Sequence, residues 1–205
     1  MLAKLLLQPK KAFRLLYPKA VWNVKAETPT LFLTFDDGPI PGLTEWVLDT
    51  LKHYNVKATF FCVGDNIEKN RSIYDRIIGE GHAVGNHTYN HIKGFKTKTS
   101  DYLANTEKCE ILTNSKLFRP PYGQLKKSQY RALLEKGYRI IMWDVVSYDY
   151  EKISPEDCLK TVIKNVKSGS IVLFHDNLKA EEKIKHALPK TIEHFLKLNY
   201  KFAGL

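Results

Sequence analysis

Cysteine is scarce in this sequence and shows no pairing pattern. The chain of 205 residues contains three cysteines, Cys62, Cys109 and Cys158, an odd number without close spacing. A small fold held by disulfides needs paired cysteines, so a disulfide scaffold is excluded. Cys62 lies in an apolar run and is interpreted as a buried, small hydrophobic residue. We expect reduced thiols, and this favours an intracellular location.

Long hydrophobic runs are absent as well. The apolar stretch Leu5–Leu7 stops at Gln8-Pro9, which is too short for the core of a signal peptide or for a membrane-spanning helix. We therefore expect a cytoplasmic protein with no transmembrane segment. Residues 1–25 carry six basic residues and no acidic one, so weak contact of this segment with a membrane surface is an alternative.

The basic segment is predicted to be an arm, residues 1–28, in front of one domain, residues 29–205. We favour packing of Leu15, Leu16, Tyr17 and Trp22 onto that domain over membrane contact, because single apolar residues beside basic ones are common. The sequence contains no linker, internal repeat or low-complexity tract. We expect a monomer.

Acidic residues are outnumbered by basic ones, and the formal net charge is +10. A basic protein attracts anionic partners such as nucleic acid, anionic lipid or acidic glycan. The lysines are scattered, however, and most alternate with acids on predicted helix faces. No arginine-rich run with interleaved aromatic residues is present. We therefore interpret the lysines as solvated surface and expect no nucleic-acid partner.

Short apolar runs alternate with longer helical patterns along the chain. Seven runs are predicted as strands: Leu31–Phe35, Ala58–Val63, Ala83–Asn86, Leu117–Arg119, Arg139–Trp143, Ile171–Phe174 and Lys201–Ala203. Six helices are predicted between them: Leu43–Tyr54, Ser72–Glu80, Ser100–Thr113, Ser128–Lys136, Pro155–Val166 and Glu181–Leu198. This alternation favours a single-domain α/β fold with a parallel sheet.

In parallel α/β folds, the reactive groups gather in the loops after the carboxyl ends of the strands. Five predicted strands are followed by polar segments: Asp36-Asp37, His87–His91, Arg119–Tyr122, Asp144–Tyr150 and His175-Asp176. Core packing or solvent exposure does not explain five such segments at one edge. A functional site is therefore predicted there.

A metal site is predicted from two of these segments. Asp36 and Asp37 end a buried strand, where adjacent carboxylates repel each other and need a compensating positive charge. A turn is the alternative, since Asp-Asp-Gly-Pro is favourable turn chemistry. His87 and His91 are four residues apart, so a helical turn would place both imidazoles on one face. Two histidines and one carboxylate with open positions are typical of catalytic zinc sites.

Hydrolysis of an amide by a metal-activated water also needs a base, oxyanion donors and an acid for the leaving amine. Asp36 is predicted to be the base, while its neighbour ligates the metal. His175 is predicted to be the acid, and Asp149, from another strand end, is predicted to hold its tautomer. Arg119 is predicted to pair with Asp36 and to keep it ionised.

Five motifs in this order carry a family resemblance. They are Thr34–Pro39, His87–His91, Arg119–Tyr122, Asp149-Tyr150 and Leu173–His175. Together they resemble the ordered motifs of the polysaccharide deacetylases, the NodB-homology enzymes of carbohydrate esterase family 4. The similarity runs from the region of Leu31 to the C-terminus. Five motifs in order are far more specific than any one of them.

The resemblance implies a distorted (β/α) barrel, similar to a TIM barrel but with about seven parallel strands. It implies that Asp36 is the base and that Arg119 orients it. It implies that His175 is the acid and that Asp149 tethers it. It also implies that the backbone N–H of Tyr122 is an oxyanion donor. It implies three metal ligands: Asp37, His87 and His91. We further predict a substrate groove lined by Pro121, Tyr150 and Tyr89.

Two positions depart from the family pattern. The fourth motif usually ends in Asp-Trp and here ends in Asp149-Tyr150, and it usually carries an Asp where this chain has Val146. The tryptophan walls the substrate groove in the family. The change to Tyr150 therefore concerns the shape of the substrate more than the chemistry.

These observations predict a metal-dependent hydrolase of linear amide bonds that removes acetyl groups from the N-acetylated sugars of a chitin-like or peptidoglycan-like glycan. The predicted cofactor is one divalent ion, Zn²⁺ first, with Co²⁺, Mn²⁺, Ni²⁺ and Fe²⁺ as alternatives. Alternative substrates are an O-acetylated polysaccharide, a lipid-linked formyl or acetyl amino sugar, and a small amide. The alternative from another class is a glycan-binding module without catalysis, and the complete catalytic set argues against it.

Overall fold

The computed structural model describes residues 14–205. The strands in this range are β1 (Thr30–Asp36), β2 (Thr59–Cys62), β3 (Ala83–Asn86), β4 (Leu117–Phe118), β5 (Arg139–Ile140), β6 (Val145–Val146), β7 (Ile171–His175) and β8 (Lys201–Phe202). The α-helices are α1 (Leu43–His53), α2 (Gly64–Lys69), α3 (Arg71–Gly79), α4 (Thr99–Thr113), α5 (Lys127–Glu135), α6 (Pro155–Asn165) and α7 (Glu181–Lys197). All seven predicted strands and all six predicted helices are present with small shifts of their ends. The sequence did not predict β6 and α2, because elements this short show no hydrophobic period.

The strands form one parallel sheet in the order β5-β4-β3-β2-β1-β7-β6, and β8 pairs with the start of β1. Helices pack on the outside of this sheet, where their apolar residues meet those of the strands. The result is a half-barrel, and the predicted single-domain distorted (β/α) barrel is confirmed. The carboxyl ends of the strands all point to one edge.

The segment before β1 links β5 to the start of β7. Val21 forms a parallel bridge with Ile141, and Asn23 forms an antiparallel bridge with Ser170. The N–H of Val21 donates to the Ile140 carbonyl at 2.8 Å. This part of the predicted arm is therefore joined to the sheet by backbone hydrogen bonds.

Side chains of the same segment differ in burial. Tyr17 and Trp22 are buried, whereas Leu15 and Leu16 are 79% and 61% exposed, so the expected packing is wrong for these two leucines. Residues 1–13 of the predicted arm lie outside the described residues. The domain boundary at residue 28 stays a prediction.

The side chains of strand β1 alternate between the main core and the opposite face, on which the site lies. All seven of its residues are buried. Leu33 and Phe35 join the main core beneath the helices, whereas Phe32 packs in a separate cluster on the other face. Because side chains alternate along a strand, Thr34 and Asp36 continue the face of Phe32. The pattern that builds the core thus turns Asp36 away from it.

Smaller sequence predictions also have structural counterparts. The three cysteines are buried free thiols, as expected. Ser154 caps α6 by accepting the N–H of Asp157 at 3.0 Å, which confirms the predicted helix start. Between residues 14 and 205, no helix is long and apolar enough to cross a bilayer.

Candidate catalytic and metal site

The carboxyl ends of the strands bring most of the predicted site residues to one cavity. Asp36 ends β1 and His175 ends β7, and the two residues are paired in register. The cavity has a volume of about 660 Å³. Its lining includes seven of the predicted residues: Asp36, Asp37, His87, His91, Tyr122, Tyr150 and His175.

Asp37, His87 and His91 form a compact cluster that can hold a metal. Each offers one ligand atom, and these atoms lie within 4.8 Å of one another. Asp37 Oδ1 is 3.6 Å from His87 Nε2 and 3.1 Å from His91 Nε2. His87 Nδ1 lies 2.7 Å from the carbonyl oxygen of Arg119. That carbonyl can only accept, so it assigns the His87 proton to Nδ1 and leaves the Nε2 lone pair for a cation.

The chemistry of this cluster fits a divalent cation. Asp37 Oδ1 is buried and has no hydrogen-bond partner among residues 14–205, a state that costs free energy unless a ligand compensates it. Burial lowers the pKa of His87 to about 4. Burial alone would raise the pKa of Asp37, but the imidazoles around it lower that pKa well below its usual range. Neutral imidazole and ionised carboxylate are the forms that bind metals.

The segment from His87 to His91 is a loop, so the predicted helical turn is wrong. Thr88 and His91 have φ angles of 63° and 54°, which a right-handed helix does not contain. Asn86 Oδ1 accepts the N–H of Thr88 at 2.8 Å, and Asn105 Oδ1 accepts the next two N–H groups at 2.9 and 3.1 Å. These amide side chains replace helical hydrogen bonds and place the two imidazole rings 5.1 Å apart.

Asp36 lies at the base of the cavity and is hydrogen-bonded to a buried arginine. Asp36 is 3% exposed and Arg119 is fully buried. Arg119 Nη1 donates to Asp36 Oδ1 and to Thr34 Oγ1, both at 2.7 Å. Its Nε and Nη2 donate to the carbonyl groups of Ile141 and Met142 at 3.3 and 3.1 Å. The guanidinium therefore compensates a buried carboxylate and fixes its orientation.

His175 is held by Asp149 through two hydrogen bonds. The ring Nδ1 lies 2.8 Å from Asp149 Oδ1, and the backbone N–H donates to Oδ2 at 2.7 Å. Burial alone would lower the pKa of His175, but the Asp149 carboxylate outweighs it and raises that pKa to about 9. The Asp149 carboxylate therefore favours the protonated form of His175. Because Nδ1 is bound to Asp149, Nε2 is the ring atom left to give a proton to the cavity.

Tyr122 lies in a 3₁₀ turn, Pro121–Gly123, with a φ angle of 60°. Its ring packs on His91 with 4.8 Å between centroids, and the ammonium group of Lys93 lies 4.7 Å from the ring centroid. The side chain is 52% exposed. The turn therefore places this residue beside the metal cluster.

The predicted groove residues are divided by the structure. Tyr150 lines the cavity, and its ring lies 4.9 Å from that of His175. Tyr89 is directed elsewhere, since its hydroxyl donates to Glu68 at 2.6 Å. Within the described range, neither Tyr89 nor Pro121 belongs to the cavity lining. A role of these two residues in a substrate groove stays a prediction.

Several cavity residues were missed in the sequence. They are Ile40, Pro120, Trp143, Leu173, Asn177, Leu178 and Lys179. Trp143 ends the predicted strand Arg139–Trp143 and is half-buried at the cavity wall. Asn177 to Lys179 directly follow His175-Asp176, so their position after a reactive strand end was the available signal.

The site can hold a cation, it keeps Asp36 ready to accept a proton, and it favours the protonated form of His175. Such a site is suited to cleaving a stable bond with water. The arrangement is the one expected of a metal-dependent hydrolase. The sequence profile of the polysaccharide deacetylase family matches residues 23–141, more than half of the chain. The chain belongs to this family of metal-dependent hydrolases acting on amide bonds, and the resemblance seen in its motifs is confirmed.

Two peptidoglycan-N-acetylglucosamine deacetylases of Bacillus cereus are similar in sequence. One is 40% identical over 149 residues, which cover 70% of this chain and 54% of that relative. The other is 34% identical over 195 residues, which cover 88% of each. The chain thus spans about half the length of the first relative and most of the second.

The crystal structure of the Bc1960 peptidoglycan N-acetylglucosamine deacetylase, in complex with a hydroxamate-type benzamide, is similar in fold. The TM-score is 0.89 at 32% sequence identity, and the match covers 96% of this chain and 95% of that chain. The similarity extends over the whole half-barrel and not only over the motifs.

Proposed function

We propose that this chain is a metal-dependent N-deacetylase that releases acetate from N-acetylated sugar residues of a glycan. The observation that carries the proposal is the placement of Asp36 and His175 around one cluster of metal-ligand atoms. Arg119 compensates the charge of Asp36, and Asp149 tethers His175. The activity named for both Bacillus cereus relatives supports N-acetylglucosamine as the target sugar.

Asp37, His87 and His91 are proposed to hold the cation. When bound, a divalent ion polarises the acyl carbonyl and makes a water molecule acidic near neutral pH. Zn²⁺ suits a set of two histidines and one carboxylate with open positions. Co²⁺, Mn²⁺, Ni²⁺ and Fe²⁺ accept the same ligands, so the proposal ranks Zn²⁺ first among them.

Asp36 is proposed to accept the proton of the attacking water. Its Oδ1 is bound to Arg119, whereas its Oδ2 is 3.8 Å from His87 Nε2 and therefore faces the metal cluster. The other hydrogen bonds of Arg119 go to Thr34 and to two backbone carbonyl groups. Because Arg119 is fully buried, it holds Asp36 without reaching the substrate. The carboxylate is thus ready to act without a rearrangement.

His175 is proposed to protonate the leaving amine. The water oxygen bonds to the acyl carbon, the C–N bond breaks, and the nitrogen receives the Nε2 proton of His175, giving an amine and acetate. Asp149 keeps the imidazole oriented and supports its charge until that transfer. The backbone N–H of Tyr122 is proposed to donate to the oxyanion that develops on the acyl oxygen.

The groove and the relatives both support the proposed substrate class. Tyr150, Trp143 and Tyr122 present rings to the cavity, and sugars stack on such rings. We also propose that the protein is a monomer and that its basic arm makes at most weak contact with a membrane surface.

Acetate release from a substrate panel tests the proposed function. The panel contains chitin oligomers, peptidoglycan fragments, O-acetylated xylan and an N-acetylated small amide, each with Zn²⁺-loaded protein. We expect acetate together with a new primary amine from the first two. Release from xylan alone would replace the N-deacetylase with an O-deacetylase, and glycan binding without turnover would favour the binding module.

Removal of the metal is expected to abolish acetate release and to lower the melting temperature. A ligand present at 100 times its dissociation constant stabilises the native state by about 2.7 kcal/mol. Asp37→Ala should lose this stabilisation, because the cluster keeps only two ligand atoms. Differential scanning calorimetry of chelated and Zn²⁺-replete protein measures it.

Asp75→Ala is the matched control for Asp37→Ala, since Asp75 is an exposed carboxylate that pairs with Arg71 on helix α3. The control should gain as much stability from Zn²⁺ as the wild type. A wild-type melting temperature that responds to neither chelator nor Zn²⁺ would contradict the metal site.

Asp149→Asn is expected to move the alkaline limb of the pH profile to lower pH. His175 acts as an acid only while protonated, so wild-type kcat/KM falls as the pH rises through the His175 pKa. The carboxylate of Asp149 raises that pKa, and its loss lowers the pKa by about 1–3 units. Rates of acetate release from pH 5 to 11 measure the shift.

The acidic limb serves as the internal control for Asp149→Asn, because it reports the base and not His175. Zn²⁺ affinity should also stay the same, since no ligand is touched. An alkaline limb at the same pH in wild type and variant would exclude His175 as the tethered acid.

A further inference from the structure

The loop after β7 contains a buried carboxylate that no step of the proposed reaction uses. Asp176 is 1% exposed. Its Oδ1 accepts the N–H of Gly38 at 3.0 Å, and its Oδ2 accepts the hydroxyl of Thr44 at 2.6 Å. The oxygen of Thr44 in turn accepts the N–H of Ile40 at 2.8 Å. One carboxyl group is therefore linked to both ends of the turn that follows Asp37.

Other groups hold the carbonyl oxygens of the same turn. The Asp36 carbonyl accepts the N–H of Asp176 at 3.1 Å. The Asp37 carbonyl accepts from Asn66 Nδ2 at 2.7 Å, and the Pro39 carbonyl accepts from Asn70 Nδ2 at 3.1 Å. Groups from the loop after β7, from Asn66 in helix α2 and from Asn70 just after that helix thus hold the carbonyl oxygens of the turn.

The backbone at Asp37 needs such support. Its φ angle is 87°, in the left-handed region that an aspartate keeps only where the surrounding structure enforces it. A Cβ atom at Gly38 would lie 1.9 Å from Asp176 Oδ2, so only glycine lets the carboxyl group approach the backbone this closely. Asp176 and the turn therefore fit each other through direct contact.

The next residue of the same loop reaches the metal ligand itself. Asn177 Nδ2 donates to Asp37 Oδ2 at 2.5 Å. The other oxygen, Oδ1, is the ligand atom that faces His87 and His91. The loop after β7 thus contacts Asp37 twice, through the turn that Asp176 holds and through the carboxylate that Asn177 orients.

We propose that Asp176 is a positioning residue for the metal: by binding Gly38 and Thr44, it holds the turn in the conformation that directs Asp37 at the cation. The inference rests on the proposed metal site. Groups that orient metal ligands without touching the metal typically contribute about 10- to 100-fold in metal affinity. Asp176 is expected to contribute an effect of this size, although it binds Gly38, the residue after the ligand, and not the ligand itself.

Two isosteric variants test the proposal, Asp176→Asn and Thr44→Val. The first removes one of the two acceptor oxygens and the charge, and the second removes only the hydroxyl that links Asp176 to Ile40. Calorimetric titration of the metal-free proteins with Zn²⁺ should give affinities lower than wild type by about 10- to 100-fold for Asp176→Asn. Thr44→Val should also bind more weakly, because the same turn is loosened while the Asp176 carboxyl group remains.

Asp144→Asn is the matched control. Asp144 accepts the N–H of Ile171 at 2.8 Å and the hydroxyl of Ser170 at 3.1 Å, so it makes the same two types of hydrogen bond at the opposite end of β7. Its substitution should lower the melting temperature of the metal-free protein, as is also expected for Asp176→Asn, but leave Zn²⁺ affinity unchanged.

The outcomes separate the inference from the proposed function. Wild-type affinity in Asp176→Asn would overturn the positioning role. Weak binding in Asp176→Asn with wild-type affinity in Thr44→Val would also overturn it, because charge alone would then explain the loss. If the wild-type protein itself bound no Zn²⁺, the proposed metal site would fail, and the inference with it.

Discussion

Replacing Asp36 by asparagine is expected to lower kcat by about 10²- to 10⁴-fold, the usual contribution of a general base. Asparagine has the shape of aspartate and keeps an oxygen for the hydrogen bond from Arg119, which is 2.7 Å long in the wild type. It cannot accept a proton. KM should change little, because Asp36 is 3% exposed at the base of the cavity. Acetate release at saturating substrate measures kcat.

The metal affinity of Asp36→Asn separates a lost base from a lost metal site. Zn²⁺ binding should persist, because Asp37, His87 and His91 are unchanged. Asp75→Asn, at an exposed position on helix α3, is the matched control and should keep wild-type kcat. An Asp36→Asn protein that binds Zn²⁺ and turns over at the wild-type rate would exclude Asp36 as the base.

Replacing Arg119 by methionine is expected to lower the free energy of unfolding by about 3–5 kcal/mol, the cost of leaving one partner of a buried ion pair alone. Arg119 is fully buried, and its loss leaves Asp36, Thr34 and two backbone carbonyl groups without their donor. Urea denaturation followed by circular dichroism measures the change. Acetate release should fall as well, since Asp36 loses its orientation.

Arg71 provides the matched control for Arg119. It pairs with Asp75 on helix α3 with both side chains more than half exposed, and such exposed pairs contribute about 0–1 kcal/mol. Arg71→Met should therefore remain near wild-type stability. The double variant Asp36→Asn/Arg119→Met should be more stable than Arg119→Met alone, because it removes the uncompensated charge. Equal losses in Arg119→Met and Arg71→Met would contradict the buried-pair interpretation.

The sequence was sufficient to predict where the chemistry lies, because two local patterns coincide. Continuous apolar runs such as Leu31–Phe35 identify buried parallel strands, and polar residues directly after them identify the reactive edge. The pairing of Arg119 with Asp36 and of Asp149 with His175 was predicted from chemical need, and the structure places both pairs within hydrogen-bonding distance.

Backbone conformation was not predictable in the same way. The spacing of His87 and His91 matches a helical turn, but the loop is built from left-handed residues and held by Asn86 and Asn105. A spacing of four residues is compatible with both a helical turn and such a loop, so it cannot distinguish them. Strand β6 was missed for a related reason, since Val145–Val146 is too short to show a period.

Tertiary contacts account for the remaining differences. Tyr89 was assigned to the groove because aromatic rings bind sugars, yet Glu68 and the Lys108 ammonium group engage it away from the cavity. Asp176 was visible only as a polar residue after a strand. Its role depends on Gly38 and Thr44, which are more than 130 residues away in sequence, and no local pattern contains that information.

The register of β1 against β7 has a consequence for how this molecule can change. Asp36 and His175 are opposite each other on hydrogen-bonded strands, and neighbouring strands are about 4.8 Å apart. The distance between proton acceptor and proton donor is therefore set by the sheet and not by any loop. Loop residues such as Tyr150 and Leu178 can be exchanged while the spacing of the two groups stays constant. The shape of the cavity can therefore change in evolution by loop substitution, without rebuilding the proposed catalytic pair.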